Sequence, residues 1–250
     1  MARLGAVRAQ SLSEVFDLHG AAMLALTFDG REHAMGNRIA AVVFDFEGTL
    51  VDFQWRLAQA EDELRAAFAA QGYATRGNYA ELWNAAADSA LPQGRLAELR
   101  RALAPVYDRW DADAATRWSP RPGAAALLEA LAGQGIGTAL VSNCGRAAIA
   151  AVLGRFGLDR RLAPVVCRDD VVYMKPHAEG ALRALAELRA APEEALFVGD
   201  SRADVLAARA AGLRVAVIRG GECDEAAFAA LPPDYWVSRL DEVAALLGGE

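Results

Sequence analysis

Apolar and polar positions follow two different rhythms along the chain. Between residues 57 and 110 the apolar residues recur at helical spacing. One stripe is Leu57, Ala60, Leu64 and Phe68; a second is Tyr79, Leu82, Trp83 and Ala86; a third is Leu96, Leu99, Leu103, Val106 and Trp110. Each reads as an amphipathic helix with its apolar side turned inward. Gly72 is placed to stop the first helix, and Pro105 predicts an interruption or kink in the third.

On either side of this stretch the rhythm changes to short unbroken apolar runs, at 39–44, 136–141, 164–167, 195–198 and 213–218, with a shorter one at 235–237. Runs of this kind fit strands buried on both faces. Helical stripes at 124–131, 147–156, 179–189, 203–211 and 240–247 lie between or after them. The alternation predicts an α/β fold: a doubly wound parallel, Rossmann-like sheet with an all-helical unit inserted after the first strand. The expected divisions are an extension at 1–37 of unknown role, a core of 38–52 plus 118–250, and a helical insert at 53–117. The insert closes at Ser119-Pro120-Arg121-Pro122-Gly123. Within the extension, 21–28 reads as a short strand before an Asp29-Gly30 turn.

Ligands of open α/β sheets bind outside the carboxyl ends of the strands. Three predicted strands end there in polar residues: Asp45, Ser142-Asn143 and Asp200. Each has a plainer reading. Asp after a strand is common turn chemistry, Ser142-Asn143 suits a helix cap, and Asp204 suits the first turn of a helix. Their combination points to a site. Of the 26 Lys and Arg residues only Lys175 is a lysine; it reads either as a chance, exposed loop lysine or as a place where a compact ammonium serves and a guanidinium fork does not. Cys144 reads as a small buried filler and His177 as a solvated loop residue.

Asp45-Phe46-Glu47-Gly48-Thr49-Leu50 resembles the first motif of the haloacid dehalogenase superfamily, DxDGT(L/V). Ser142-Asn143 resembles the second motif, Lys175-Pro176 the third, and Gly199-Asp200-Ser201-Arg202-Ala203-Asp204 the fourth, GDxxxD. The four stand in order over residues 38–250, and the phosphoglycolate phosphatase-like branch is the most similar, its helical cap matching the insert. The resemblance implies a Mg²⁺-dependent phosphatase in which Asp45 is the nucleophile and forms an aspartyl phosphate. It implies Glu47 as general acid and base and Lys175 as the cation that holds the phosphate and the nucleophile together. Gly48, Thr49, Ser142 and Asn143 would bind the phosphoryl oxygens. Mg²⁺ would be held by Asp45, Asp200 and the carbonyl of Glu47, with Asp204 behind them. Cap residues Arg56 and Arg65 are candidates for substrate contact.

At position 47 the sequence departs from the pattern, because the family's phosphatases carry Asp there. The extra methylene moves the carboxyl by about 1.5 Å, and misplacement by about 1 Å can cost on the order of a hundredfold in rate. A slow phosphatase, a phosphotransferase or phosphomutase, and an impaired phosphate-binding homologue are therefore all compatible with the motif. The substrate implied is a small phosphorylated metabolite, with phosphoglycolate as the branch's example.

Charge and composition narrow the partners. A net charge of −7 with no basic stripe excludes a nucleic-acid footprint. No apolar run approaches the roughly 20 residues that span a bilayer. Three cysteines without close pairing fit a reducing, cytoplasmic compartment. Oligomeric state is not encoded in any pattern found.

Overall fold

The computed structural model describes residues 39–247; the extension at 1–37, with its expected strand at 21–28, lies outside them. The strands are β1 (Ala41–Phe44), β2 (Gly137–Val141), β3 (Val165–Val166), β4 (Ala195–Gly199), β5 (Arg214–Ile218) and β6 (Tyr235–Val237). They form one sheet in the order β3-β2-β1-β4-β5-β6, and every pairing is parallel. The chain builds outward from β1 in one direction and then returns to build outward in the other. The order therefore reverses between β1 and β4, which is where such sheets open a crevice.

Residues alternate between two apolar layers. Val42, Phe44, Leu140, Leu196 and Val198 point into one, and Ala41, Val43, Ala139, Val141 and Phe197 into the other. Both faces are covered, so no polar alternation is needed. This explains the unbroken apolar runs in the sequence.

Three helices follow β1: α1 (Leu57–Ala70), α2 (Tyr79–Ala90) and α3 (Leu96–Ala115). Tyr107 is fully buried at their centre, with Trp55, Phe68 and Trp83 rings around it at 6.1–6.5 Å. The expected break at Pro105 does not occur, and α3 runs through it. Pro105 lies on the exposed side of the helix, as does Arg101, whose carbonyl loses its partner; water can satisfy that oxygen while Leu99, Leu103 and Tyr107 stay buried opposite.

The remaining helices are α4 (Ala124–Gly133), α5 (Arg146–Phe156), α6 (Glu179–Leu188), α7 (Arg202–Ala210) and α8 (Glu242–Ala245). The last is shorter than the 240–247 stripe predicts. The run at 164–167 likewise pairs only through Val165 and Val166.

The three-helix insert is bonded to the sheet domain. Trp83 Nε1 donates to the carbonyl of Val172 at 2.8 Å, and Asn84 exchanges two hydrogen bonds with the backbone of Met174 at 2.8 and 2.9 Å. Asp111 on α3 accepts from Gly145 N–H at 2.8 Å and from Arg168 at 2.7 Å, and all three groups are buried. Arg168 also pairs with Asp108 and lies over the Tyr107 ring at 5.0 Å.

Candidate active site

Four chain segments meet at the carboxyl ends of β1, β2 and β4. Asp45 is the first residue beyond β1, and its N–H donates to the Val198 carbonyl of β4 at 2.8 Å. Its carboxylate is bonded to Lys175 Nζ. The same ammonium reaches Asp204 at 2.6 Å, and Lys175 is only 5% exposed. Asn143 fixes the lysine's backbone. Its Nδ2 donates to the Lys175 carbonyl at 3.1 Å and its Oδ1 accepts from the Lys175 N–H at 2.9 Å. Asn143 thus serves the lysine and not a helix end; the N-cap of α5 is Gly145. Ser142 accepts from Cys144 N–H at 3.1 Å, and its hydroxyl stands on the cavity wall.

Asp204 closes a capping box with Ser201 at the start of α7 and also accepts from Asp200 N–H at 3.2 Å. The helix-cap reading of Asp204 and its role at the site therefore hold together. Asp200 is 1% exposed and accepts from Thr49 Oγ1 at 3.2 Å and Glu222 N–H at 2.5 Å.

One oxygen from each of Asp45, Asp200 and Asp204 lies within 4.8 Å of the other two. Of these three buried carboxylates, two, Asp45 and Asp204, share the Lys175 ammonium. Burial opposes the charge on Lys175, but Asp204 and Asp45 outweigh it and keep the ammonium protonated. Burial pushes Asp45 up to about 6 against the pull of Lys175, with Asp204 adding to the rise. Asp200 is driven well above the usual carboxylate range by burial, Asp45 and Asp204. Buried carboxylates in this number suit a hard divalent cation. The Glu47 carbonyl takes no hydrogen bond among the described residues and can join them. Asp204 takes four hydrogen bonds on its two oxygens, from Lys175, from Asp200 N–H and from Ser201 N–H and Oγ. Asp200 takes one on each oxygen and Asp45 is bonded to Lys175 through Oδ1, so Asp45 and Asp200 are the less committed carboxylates.

The haloacid dehalogenase-like hydrolase family profile matches residues 39–212. The chain belongs to this family. The chain is 33% identical over 216 residues to a phosphoglycolate phosphatase (plasmid) of Cupriavidus necator, covering 83% of this chain and 92% of that one. Phosphoglycolate phosphatase of Yersinia pestis is 30% identical over 220 residues, covering 84% and 94%. Among solved structures, a hydrolase from Pseudomonas syringae shares the fold at a TM-score of 0.61 and 22% identity, with 83% of this chain and 97% of that one covered. These relatives place the chain in the phosphoglycolate phosphatase-like branch of haloacid dehalogenase-like hydrolases.

Of the residues expected from the family motifs, Asp45, Glu47, Ser142, Asn143, Lys175 and Asp200 line one cavity. Thr49, Gly48 and Asp204 do not. Thr49 is fully buried and its hydroxyl is committed to Asp200, so it stands behind that carboxylate and not at a phosphate. The Gly48 N–H is likewise used, donating to the Val51 carbonyl at 2.8 Å. What position 48 requires is the absence of a side chain. Its φ is +84°, and a Cβ there would overlap Asp200. Arg56 and Arg65 pair with Asp113 and with Glu61 and Asp62, respectively, outside the cavity.

Glu47 is held by one oxygen. Its Oε1 accepts from the N–H groups of Gln54 and Trp55 at 2.7 and 2.6 Å and from Trp118 Nε1 at 2.8 Å. Its Oε2 has only the Cys144 thiol nearby, at 4.0 Å. Burial pushes the carboxyl up to about 8 against the hydrogen bonds from Gln54, Trp118 and Trp55. Oε1 is filled by three donors, so Oε2 is the oxygen open to carry a proton.

Besides the apolar Phe53, Trp55 and Leu57, the wall holds three polar residues that the sequence motifs did not mark. Glu222 stands at the rim on the loop after β5, Asp111 comes from α3, and Tyr79 opens α2. The loop that carries Glu222 wraps Asp200 so closely that a Cβ at Gly221 would overlap it. The Gly220-Gly221 pair beyond a predicted strand was the available signal for this approach.

Proposed function

We propose that this chain hydrolyses a small phosphomonoester through an aspartyl-phosphate intermediate on Asp45, with Mg²⁺ bound. The observation that carries the reading is the placement of Asp45: its carboxylate is anchored to Lys175 and shares one cavity with both Asp200 and the Glu47 carboxyl.

Asp45, Asp200 and the Glu47 carbonyl would hold the Mg²⁺, which would offset the repulsion between carboxylate and phosphate dianion. A free Asp45 oxygen attacks phosphorus as the bond from phosphorus to the alcohol oxygen breaks. Glu47 gives its proton to the departing oxygen, so the alcohol leaves neutral. Glu47, now a carboxylate, takes a proton from water as that water attacks the phosphorus of the aspartyl phosphate. The phosphorus–Asp45 bond breaks, inorganic phosphate is released, and both carboxyl groups return to their starting states. Throughout, Lys175 keeps Asp45 in place and meets the phosphoryl charge, and Ser142 donates to a phosphoryl oxygen.

The cavity holds about 30 Å³, room for a water or two. An ester enters only if the three-helix insert moves away from the sheet, so residues 53–117 act as a cap that opens and closes. The branch relatives make phosphoglycolate the first natural ester to try.

The test is acid quench of excess enzyme after mixing with an ester labelled in its phosphoryl group. Label should appear on the peptide containing Asp45 and be released by hydroxylamine. Hydrolysis with no protein-bound label at any quench time, under conditions where product forms, would point to direct attack by water.

A further inference from the structure

We infer that the ester this site accepts carries no second negative charge on its alcohol, and that an ammonium group there is favoured. The inference rests on the phosphatase reading above and concerns the wall that the alcohol must face. That wall is made by Phe53, Trp55, Leu57 and Tyr79 from the insert, with Glu222 at the rim and Asp111 behind Trp55.

Among the described residues the only cation on the cavity wall is Lys175, and its ammonium is already bonded to Asp45 and Asp204. Arg202, between the lining residues Ser201 and Ala203, is exposed and not on the wall, and three further guanidinium groups are turned to other partners. Arg168 is committed to Asp111 and Asp108. Arg117 is held by Asp113 and the Gln54 carbonyl. Arg121 is held by the carbonyls of Gly48 and Arg219. A carboxylate on the alcohol would lose its water, find no cation, and face Glu222. A desolvated charge without a partner is rejected strongly, because the site makes nothing to replace its hydration.

An uncharged alcohol meets no such penalty. Among the described residues the Tyr79 hydroxyl is engaged only by Asn143 Nδ2 at 3.5 Å, so its proton is available to a hydroxyl or ether oxygen. An ammonium gains further. Trp55 and Tyr79, with ring centroids 5.0 Å apart, offer aromatic surface to a cation, and the Glu222 carboxyl at the rim offers acceptor oxygens to its N–H groups. The wall therefore selects by charge, in the direction opposite to what phosphoglycolate requires.

The test is kcat/KM of the full chain with Mg²⁺ on three two-carbon esters: phosphoethanolamine, 2-hydroxyethyl phosphate and phosphoglycolate. p-Nitrophenyl phosphate serves as the check on phosphatase activity. Phosphoethanolamine should be used at least as well as 2-hydroxyethyl phosphate, and each at least tenfold better than phosphoglycolate. Glu222→Gln should shrink the ratio of phosphoethanolamine to phosphoglycolate severalfold, and Glu222→Arg should raise phosphoglycolate turnover. Phosphoglycolate used as well as or better than the other two overturns the inference. Turnover of the nitrophenyl ester alone overturns it too and leaves the phosphatase reading standing. No turnover of any of the four brings down the phosphatase reading and this inference with it.

Discussion

Trp118 Nε1 donates to Glu47 Oε1 at 2.8 Å, across 71 residues of sequence. The indole and the two N–H groups of Gln54 and Trp55 together hold a side chain one methylene longer than the family's usual Asp. The site around position 47 is therefore built for glutamate. Glu47→Asp should lower turnover of alkyl phosphates by about tenfold or more, since the shorter carboxyl cannot reach all three donors. Trp118→Phe, which removes only the indole donor, should lower it less, and Glu47→Gln should lower it most. A Glu47→Asp variant faster than the parent would show that the glutamate is a misfit.

The proton on Glu47 gives a pH dependence that differs between substrates. Its carboxyl is raised to about 8 by burial, so the acid form dominates below that value and is lost above it. Esters with poor leaving groups need that proton, and their kcat should fall as pH rises through about 8. p-Nitrophenyl phosphate, whose leaving group departs without help, should show a much flatter profile. Identical profiles for both would remove Glu47 from proton transfer.

Asn143 predicts a loss of precision with little loss of fold. Its two hydrogen bonds to the Lys175 backbone, at 3.1 and 2.9 Å, set the direction from which the ammonium meets Asp45. Asn143→Ala should cost about 1–3 kcal/mol of stability from the lost and unmet hydrogen bonds. It should also lower kcat by about ten- to a hundredfold. Thermal unfolding and steady-state rates on the same preparation separate the two effects.

The buried pair of Asp111 and Arg168 fastens the insert to the sheet domain. Removing Asp111 leaves the buried Arg168 with the largely exposed Asp108 as its remaining carboxylate partner, a loss of up to about 3–5 kcal/mol. Asp111→Ala should therefore unfold at markedly lower denaturant concentration than the parent. Asp111→Asn, which keeps one acceptor oxygen for either Gly145 N–H or Trp55 Nε1 but not both, should lie between them. Hydrogen exchange in α3 (Leu96–Ala115) should rise in both variants, and an unchanged α3 would mean that the pair carries no part of the contact.

How much of this was legible in the sequence follows from what each residue depends on. Asp45, Ser142 and Asp200 stand where buried parallel strands end, and such strands show as unbroken apolar runs. Lys175 stood out by its rarity and its motif. Asn143 was visible as a residue, but its grip on Lys175 spans 32 positions and no local pattern encodes it. Thr49 was expected at a phosphate because motif position does not reveal which way a hydroxyl turns. Asp111, Tyr79 and Glu222 enter the site through packing of the insert and a loop wrap. Their own helices and turns would look the same without it. Pro105 misled because the penalty of a proline depends on whether the freed carbonyl is exposed, which sequence periodicity only hints at.

The most direct measurement of the central claim is phosphate release from p-nitrophenyl phosphate by the full chain, with Mg²⁺ and with chelator, beside Asp45→Asn. Asp45 as nucleophile next to an Mg²⁺ site predicts turnover that chelation stops, Mg²⁺ restores and Asp45→Asn abolishes in a folded protein. Turnover that survives in folded Asp45→Asn, or that is indifferent to chelation, would contradict it.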